Sequence, residues 1–162
     1  MIILGCDPGL SGALAILNTD TGALVVEDIP TFALARGGKA KRDVNRAELA
    51  RMIDCAQPTQ AFVEQVGAMP GQGVSSVFSF GKTYGTILGC LAFVPVTLVA
   101  PTTWKRAVGI KAASGKDASR ARATTLFPRH AGAFARVKDD GRAEAALIAW
   151  YGAWTLRQGG AE

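Results

Sequence analysis

Four carboxylates stand at three distant points of the chain, each beside an apolar segment. Asp7 ends the first apolar run, and Glu64 ends another. Short apolar runs are typical of buried strands, where a lone charge is costly unless it is paired or bound to a metal. Asp140 and Glu144 are four residues apart near the C-terminus. A helix would therefore present both of them on one face.

Carboxylates that converge from strand ends and the start of a helix suit hard divalent cations, which prefer oxygen ligands. Two such cations, roughly 4 Å apart, catalyse the cleavage of phosphodiester bonds. We therefore predict two Mg²⁺ per site, with Mn²⁺ as a substitute, and no small-molecule cofactor. The predicted ligands are Asp7, Glu64, Asp140 and Glu144. Since the chain carries a net charge of +5, an acidic site on a basic body favours a nuclease.

Basic side chains are concentrated in two stretches, residues 36–51 and 105–142. Basic residues beside candidate catalytic acids favour phosphate contacts over an ordinary solvated surface. The predicted DNA-binding residues of the two stretches are Arg36, Lys39, Lys41, Arg42, Lys105, Arg106, Lys111, Lys116 and Arg120. Gln65 follows the Glu64 strand, where it either supports the site, contacts DNA or is an ordinary polar residue at a strand end.

The length of 162 residues and the 49% share of hydrophobic residues predict one globular domain over residues 1–162. No apolar run is long enough to span a bilayer, and the N-terminal run is too short for a signal peptide. We therefore expect a cytoplasmic protein without membrane contact. The odd number of cysteines, without metal-ligand spacing, predicts reduced core residues at Cys6, Cys55 and Cys90.

Hydrophobic patterning predicts an α/β fold. Strands are expected at residues 2–6, 13–17, 23–29, 61–64 and 96–99. Helices are expected at about residues 43–56, 74–93, from 103, 117–127 and 139–156, with loops at 30–43, 67–75 and 129–138. The first three strands form an antiparallel meander, and the helix after them suits a crossover to parallel strands. The sequence thus predicts a five-stranded mixed sheet flanked by helices.

Three glycines recur at four-residue intervals in the predicted helix over residues 74–93, namely Gly81, Gly85 and Gly89. Each costs about 1 kcal/mol relative to alanine in a helix. Such a pattern indicates that another backbone approaches closely. Dimerisation and packing against the protein's own sheet explain it equally well at this point.

The segment Asp7-Pro8-Gly9-Leu10-Ser11-Gly12 joins the first two predicted strands, and its glycines allow a tight turn beside a phosphate or a metal. Patterns of this kind occur near the start of metal-dependent nucleases of RNase H-like fold. They also occur near the start of actin-like kinases and ATPases, in which the loop binds ATP phosphates. Actin-like enzymes need two such domains with ATP between them, whereas 162 residues supply one.

Three motifs together resemble the RuvC-type Holliday-junction resolvases, and the phage-encoded branch in particular. They are Asp7-Pro8-Gly9, Val63-Glu64-Gln65-Val66 and the segment from Asp140 to Ala149. The resemblance extends over the whole chain in order and spacing. It implies an RNase H-like fold, a homodimer, Mg²⁺ dependence and paired nicks in four-way DNA junctions, in a bacterial or phage-infected cell.

Residue by residue, the resemblance assigns Asp7, Glu64 and Glu144 to three of the family's four acids. The fourth departs from the cellular enzymes, whose two helical acids stand three apart, because Gly141 occupies that position. Asp140 is favoured over Asp139 for the missing ligand, and both stay open. Lys105 and Lys116 resemble the basic residues that these enzymes place near the scissile phosphate.

Other activities remain open beside paired cutting of four-way junctions. They are a broader nuclease for forks and other branched DNA, cleavage of RNA–DNA hybrids, an actin-like ATPase fragment, and a junction-binding protein without catalysis.

Overall fold

The computed structural model describes residues 1–36, 39–68, 71–111, 114–115 and 117–159. The strands are β1 (Ile2–Asp7), β2 (Ala13–Asn18), β3 (Leu24–Asp28), β4 (Thr31–Arg36), β5 (Lys39–Val44), β6 (Gln60–Glu64) and β7 (Val96–Val99). The α-helices are α1 (Arg46–Ala56), α2 (Val74–Cys90), α3 (Pro101–Ala107), α4 (Ala118–Leu126) and α5 (Asp140–Gly159).

The central sheet has the strand order β3-β2-β1-β6-β7. β1 pairs antiparallel with β2 and parallel with β6, and β6 pairs parallel with β7. The crossover from β3 to β6 contains α1, whose first turn is capped by Asn45 through a hydrogen bond from the Glu48 backbone N–H. The predicted five-stranded mixed sheet is confirmed.

Two apolar layers cover the faces of this sheet, because successive residues of a strand point to opposite sides. Ile3 belongs to the layer that α5 covers, together with Phe62 and Leu147. Leu4 belongs to the opposite layer, with Leu49 of α1 and Ile87 of α2. All of these side chains are buried.

A close approach between β1 and α5 sets the position of the last helix. A Cβ atom on Gly5 would stand 2.2 Å from the Ala145 carbonyl oxygen and 2.4 Å from the Ala149 nitrogen. Only glycine leaves this space free. The first turns of α5 are therefore held against the end of β1, where Asp7 lies.

The predicted loop over residues 30–43 is wrong, since these residues contain most of the hairpin β4–β5. The two strands pair in register, with Leu34 opposite Lys41 and Phe32 opposite Asp43. Basic residues and glycines favoured a loop, but cross-strand pairing satisfies the backbone although, among the residues whose burial is described, only Val44 of the hairpin is buried. The dipeptide Gly37-Gly38 between the strands is typical of hairpins, so the sequence did contain the signal.

Two smaller expectations also change. The predicted loop at residues 129–138 contains most of two 3₁₀ segments, Pro128–Phe134 and Val137–Asp139. The three cysteines are free, but Cys55 is exposed and only Cys6 is buried. Within the described residues, no helix is long and apolar enough to cross a membrane.

The glycines of α2 do not pack on the protein's own sheet. A Cβ atom on Gly81, Gly85 or Gly89 would meet nothing within 4 Å among the described residues. The inward side of α2 is formed by other residues, of which Thr83 and Ile87 are buried. Intrachain packing therefore does not explain the glycine pattern.

Candidate active site

Three of the predicted carboxylates converge at one edge of the sheet. Asp7 ends β1 and Glu64 ends β6, and the carboxyl ends of these neighbouring parallel strands meet at the same edge. Glu144 comes from the second turn of α5. One ligand oxygen from each residue lies within 4.8 Å of the other two. Three carboxylate oxygens at this spacing are a donor set that fits a hard divalent cation.

The first turn of α5 rests directly on the loop after Asp7. A Cβ atom on Gly141 would stand 2.7 Å from the Ser11 carbonyl oxygen and 2.9 Å from Asp7 Oδ2. A side chain at this position would collide with the loop and with the carboxylate itself. This crowding leaves no room for an acidic side chain three residues before Glu144.

Burial and mutual repulsion disfavour charge on the cluster. The pKa of Asp7 is raised to about 7, first by burial, then by the neighbouring charges of Glu144 and Glu64, with Lys105 opposing them. Burial also raises the pKa of Glu64. A bound cation would offset both effects, because it favours the charged form of each carboxyl.

Three side chains hold the carboxylates in place. The indole Nε1 of Trp104, which is fully buried, donates to Glu64 Oε1 at 3.0 Å. Ser119 Oγ donates to Glu144 Oε1 at 2.9 Å, and Lys105 Nζ lies 3.0 Å from the same oxygen. Sequence reasoning assigned neither Trp104 nor Ser119 to the site. A buried indole N–H usually finds a hydrogen-bond acceptor, and this was the one available signal.

The two candidates for the fourth acid lie in different surroundings. Asp140 lines the same cavity as Asp7 and Glu144, but its Oδ1 accepts a hydrogen bond from Arg120 Nε at 2.8 Å. Asp139 is 1% exposed and accepts hydrogen bonds from the backbone N–H and the guanidinium of Arg136. These bonds hold the pKa of Asp139 below its usual range. Neither residue belongs to the group of three converging oxygens.

A cavity of about 1230 Å³ opens over the carboxylates. Its lining includes the basic residues Lys105, Arg106 and Lys111. Arg42 reaches the rim from the β4–β5 hairpin, where its Nη2 donates to Ser11 Oγ at 3.0 Å. Gln65 is exposed at the end of β6, and Lys41 is exposed on β5. The side chains of Arg36 and Lys39 and the whole of Lys116 lie outside the described residues.

Comparison with solved structures relates this fold to known resolvases. T. thermophilus RuvC in complex with a Holliday junction substrate superposes with a TM-score of 0.64 at 18% identity, covering 98% of this chain and 97% of RuvC. The fowlpox virus Holliday junction resolvase matches with a TM-score of 0.50 at 16% identity, covering 96% of this chain and all of the viral chain. The chain has the RNase H-like fold of RuvC.

Comparison by sequence leads to the same class of protein. A chloroplastic Holliday junction resolvase, MOC1 of Chlamydomonas reinhardtii, is 36% identical over 97 residues, or 59% of this chain. The matched segment is 11% of the length of that algal protein. No family model matches the chain. The resemblance to RuvC-type resolvases is confirmed, whereas the phage-encoded branch stays a prediction.

Trp104→Phe is expected to shift the pH dependence of catalysis. The indole hydrogen bond lowers the pKa of Glu64 against the effect of burial. Its loss should raise that pKa further, so that protonation removes the ligand at a higher pH. We expect the acidic limb of the pH–rate profile to move to higher pH and cation affinity to fall about 10–100-fold, as when other hydrogen bonds to metal ligands are lost. Cleavage rates across pH at fixed Mg²⁺ measure this.

Trp150→Phe is the matched control, because Trp150 stacks on Trp154 of α5 and does not line the cavity. An unchanged acidic limb in Trp104→Phe would contradict the role of the indole.

Proposed function

We propose that this chain is a divalent-cation-dependent endonuclease that resolves four-way DNA junctions by paired, symmetric nicks. The convergence of Asp7, Glu64 and Glu144 oxygens within 4.8 Å of one another carries the proposal. It is supported by the RuvC fold and by the sequence match to a Holliday junction resolvase. Three carboxylates this close repel one another, and a bound divalent cation would offset that repulsion.

Two Mg²⁺ ions per site are proposed, held by Asp7, Glu64 and Glu144 together with Asp140. Bound cations supply a nucleophilic water of lowered pKa and stabilise the leaving 3′ oxygen. Trp104 and Ser119 orient carboxylate oxygens toward the cluster. Lys105 brings a positive charge into the cavity beside Glu144, where it is placed to stabilise charge that develops on the scissile phosphate. The same role is proposed for Lys116.

The basic β4–β5 hairpin is proposed to grip the DNA backbone beside the site. The Arg42–Ser11 hydrogen bond joins it to the Asp7 loop, and an ion pair between Asp43 and Lys82 joins it to α2. Its orientation relative to the carboxylates is thereby held from both sides. Together with Lys105, Arg106 and Lys111 in the cavity, and with Gln65, it would contact phosphates without reading base edges.

A homodimer is proposed because two symmetric nicks need two equivalent sites. No described residue covers one apolar side of α2, where Val74 is 86% and Phe78 76% exposed beside Gly81, Gly85 and Gly89. These five positions recur every three to four residues, so they share one helix face. A second copy of this chain would cover the large apolar side chains while the glycines let the helices approach.

One gel assay separates this proposal from its rivals. Labelled four-way junction, replication fork, linear duplex and RNA–DNA hybrid are incubated with Mg²⁺ or EDTA. We expect symmetric nicks in the four-way junction with Mg²⁺ only. Equal cutting of forks would indicate the broader branched-DNA nuclease, and cutting of the hybrid alone would indicate RNase H activity. Junction binding without cutting in Mg²⁺ or Mn²⁺ would indicate a non-catalytic protein, and ATP hydrolysis without DNA cutting an actin-like one.

Substitutions at the start of α5 test the choice of the fourth acid. Asp140→Asn and Glu144→Gln should both lose cleavage, because both residues line the cavity. Asp139→Asn should retain more activity but unfold more easily, by roughly 1–3 kcal/mol, since it weakens the hydrogen bonds that the buried Asp139 carboxylate accepts from the exposed Arg136. Cleavage assays and denaturant titration measure the two effects. An inactive Asp139→Asn beside an active Asp140→Asn would reverse the assignment.

A further inference from the structure

The first turn of α4 contacts both acidic residues at the start of α5. Ser119 donates to Glu144, and Arg120 Nε donates to Asp140 Oδ1 at 2.8 Å. A second guanidinium nitrogen of Arg120 pairs with Asp117, just before α4. The Arg120 side chain is 13% exposed, whereas that of Asp140 is 48% exposed. The guanidinium is therefore the better-buried partner, held between two carboxylates.

The guanidinium contacts the one predicted acid that stands apart from the other three. Asp140 lies about one helical turn from Glu144 and lines the same cavity, yet it is absent from the group of converging oxygens. Its Oδ1 is engaged by Arg120. A divalent cation that approached Asp140 would meet a positive charge already hydrogen-bonded to that carboxylate. The Asp140 oxygen that is bonded to Arg120 is therefore not fully available as a cation ligand.

A DNA phosphate is the group that would separate Arg120 from Asp140, because it can bind the guanidinium in place of the carboxylate. The planar guanidinium binds phosphate oxygens in the same two-pronged geometry as carboxylate oxygens. The cavity beside Arg120 already contains Lys105, Arg106 and Lys111, so a DNA backbone placed over the carboxylates would bring phosphates into reach. An arginine that exchanged a carboxylate for a phosphate would keep its hydrogen bonds.

We propose that Arg120 is a positioning residue that competes with a divalent cation for Asp140. In the DNA-free protein the Arg120 guanidinium is hydrogen-bonded to the Asp140 carboxylate. When the junction binds, a DNA phosphate binds the Arg120 guanidinium. Asp140 is then free to complete the cation site. The proposal rests on the cation-dependent function proposed above. It makes full cation loading depend on bound DNA.

Cation binding to Arg120→Gln without DNA tests the competition. Mn²⁺ is titrated into the protein by calorimetry and by the loss of the free-ion electron paramagnetic resonance signal. Wild type should bind one Mn²⁺ more tightly than any further ion. In Arg120→Gln the affinity for the second ion should rise about tenfold, within the usual range of coupling between two sites. Arg120→Lys, which keeps the charge without the planar fork, should fall between the two.

Junction binding in EDTA tests the phosphate contact. Arg120→Gln should bind a four-way junction more weakly, and the slope of log affinity against log salt should become shallower by about one unit. Arg129→Gln is the control, because it removes the same charge at an exposed position, whereas Arg120 is hydrogen-bonded to Asp140. It should leave the Mn²⁺ titration unchanged.

The outcomes separate this inference from the function on which it rests. Second-ion affinity that is unchanged or weaker in both Arg120 variants overturns the competition, while cleavage by wild type would still support the nuclease. An unaltered salt slope in Arg120→Gln overturns the transfer to phosphate. If wild type binds no Mn²⁺ and cuts nothing, the proposed function itself fails. Thermal unfolding of each variant without cation shows that the protein measured is folded.

Discussion

Asp7→Asn should abolish cleavage and yet make the cation-free protein more stable at pH 8. Asp7 lies at the centre of the carboxylate cluster, and asparagine retains its shape without its charge. Loss of an outer-shell partner already costs about 10–100-fold in metal affinity or activity. Loss of a ligand should therefore reduce the cleavage rate by more than about 100-fold. Single-turnover cleavage of a labelled junction in Mg²⁺ measures this.

The gain in stability follows from the raised pKa of Asp7. In the folded protein this pKa is about 7, against an ordinary aspartate value of 3.8. Folding therefore favours the protonated carboxyl, and the stability that this provides is complete below pH 4 and is lost as pH rises through 7. At pH 8 the Asp7 carboxylate of wild type is charged. Its burial and its repulsion by Glu144 and Glu64 lower the free energy of unfolding by an amount on the order of a few kcal/mol. Asparagine carries no such charge at any pH.

Denaturant unfolding in EDTA at pH 4 and pH 8 measures the difference. The variant should gain stability over wild type at pH 8 and little at pH 4, and Mg²⁺ should stabilise wild type more than the variant. Asp54→Asn, at an exposed position of α1, should change neither property. Wild-type cleavage by Asp7→Asn would remove the site assignment, and lower stability at pH 8 would contradict the repulsion within the cluster.

Gly85→Arg should yield a monomer that no longer makes paired incisions. Position 85 is open in the monomer, and arginine has a better helix propensity than glycine by roughly 0.8–1 kcal/mol. The single chain should therefore fold normally. In the proposed dimer the guanidinium would be buried without a partner, which costs several kcal/mol. Such a cost weakens dimer affinity by more than about 100-fold.

Sedimentation measures the assembly, and a supercoiled plasmid with an extruded cruciform measures the cutting. Wild type should linearise the plasmid, because both strands are cut within one complex, whereas Gly85→Arg should only nick it. Ser79→Arg is the matched control, since it adds the same charge to an exposed position about 120° away around α2. Linearisation by a wild-type protein that stays monomeric at micromolar concentration with junction present would refute the dimer and weaken the resolvase proposal.

The five strands of the central sheet, the main helices and the identity of the clustered acids could be predicted from the sequence, because their signals are local. The apolar runs that end at Asp7 and Glu64 predicted two buried strands, and strand ends meet at one sheet edge whenever the strands run parallel. Apolar periodicity over residues 43–56 predicted α1, whose start at Arg46 the sequence did not fix. The β4–β5 hairpin was missed because its two strands bury little apolar surface, and periodicity reports burial rather than pairing.

Only the tertiary structure decided which side chains touch the acids. Trp104 lies 40 residues from Glu64, and Ser119 lies 25 from Glu144, so no sequence spacing relates them. The separate fates of Asp139 and Asp140 depend on Arg136 and Arg120, which reach the start of α5 from different elements. In the sequence, nothing distinguishes Gly141 from other helix residues. In the structure, the Ser11 carbonyl oxygen lies so close that a Cβ atom would not fit. Hydrogen bonds and close contacts act over about 3 Å, and distant residues reach that range only when the sheet and α5 have packed together.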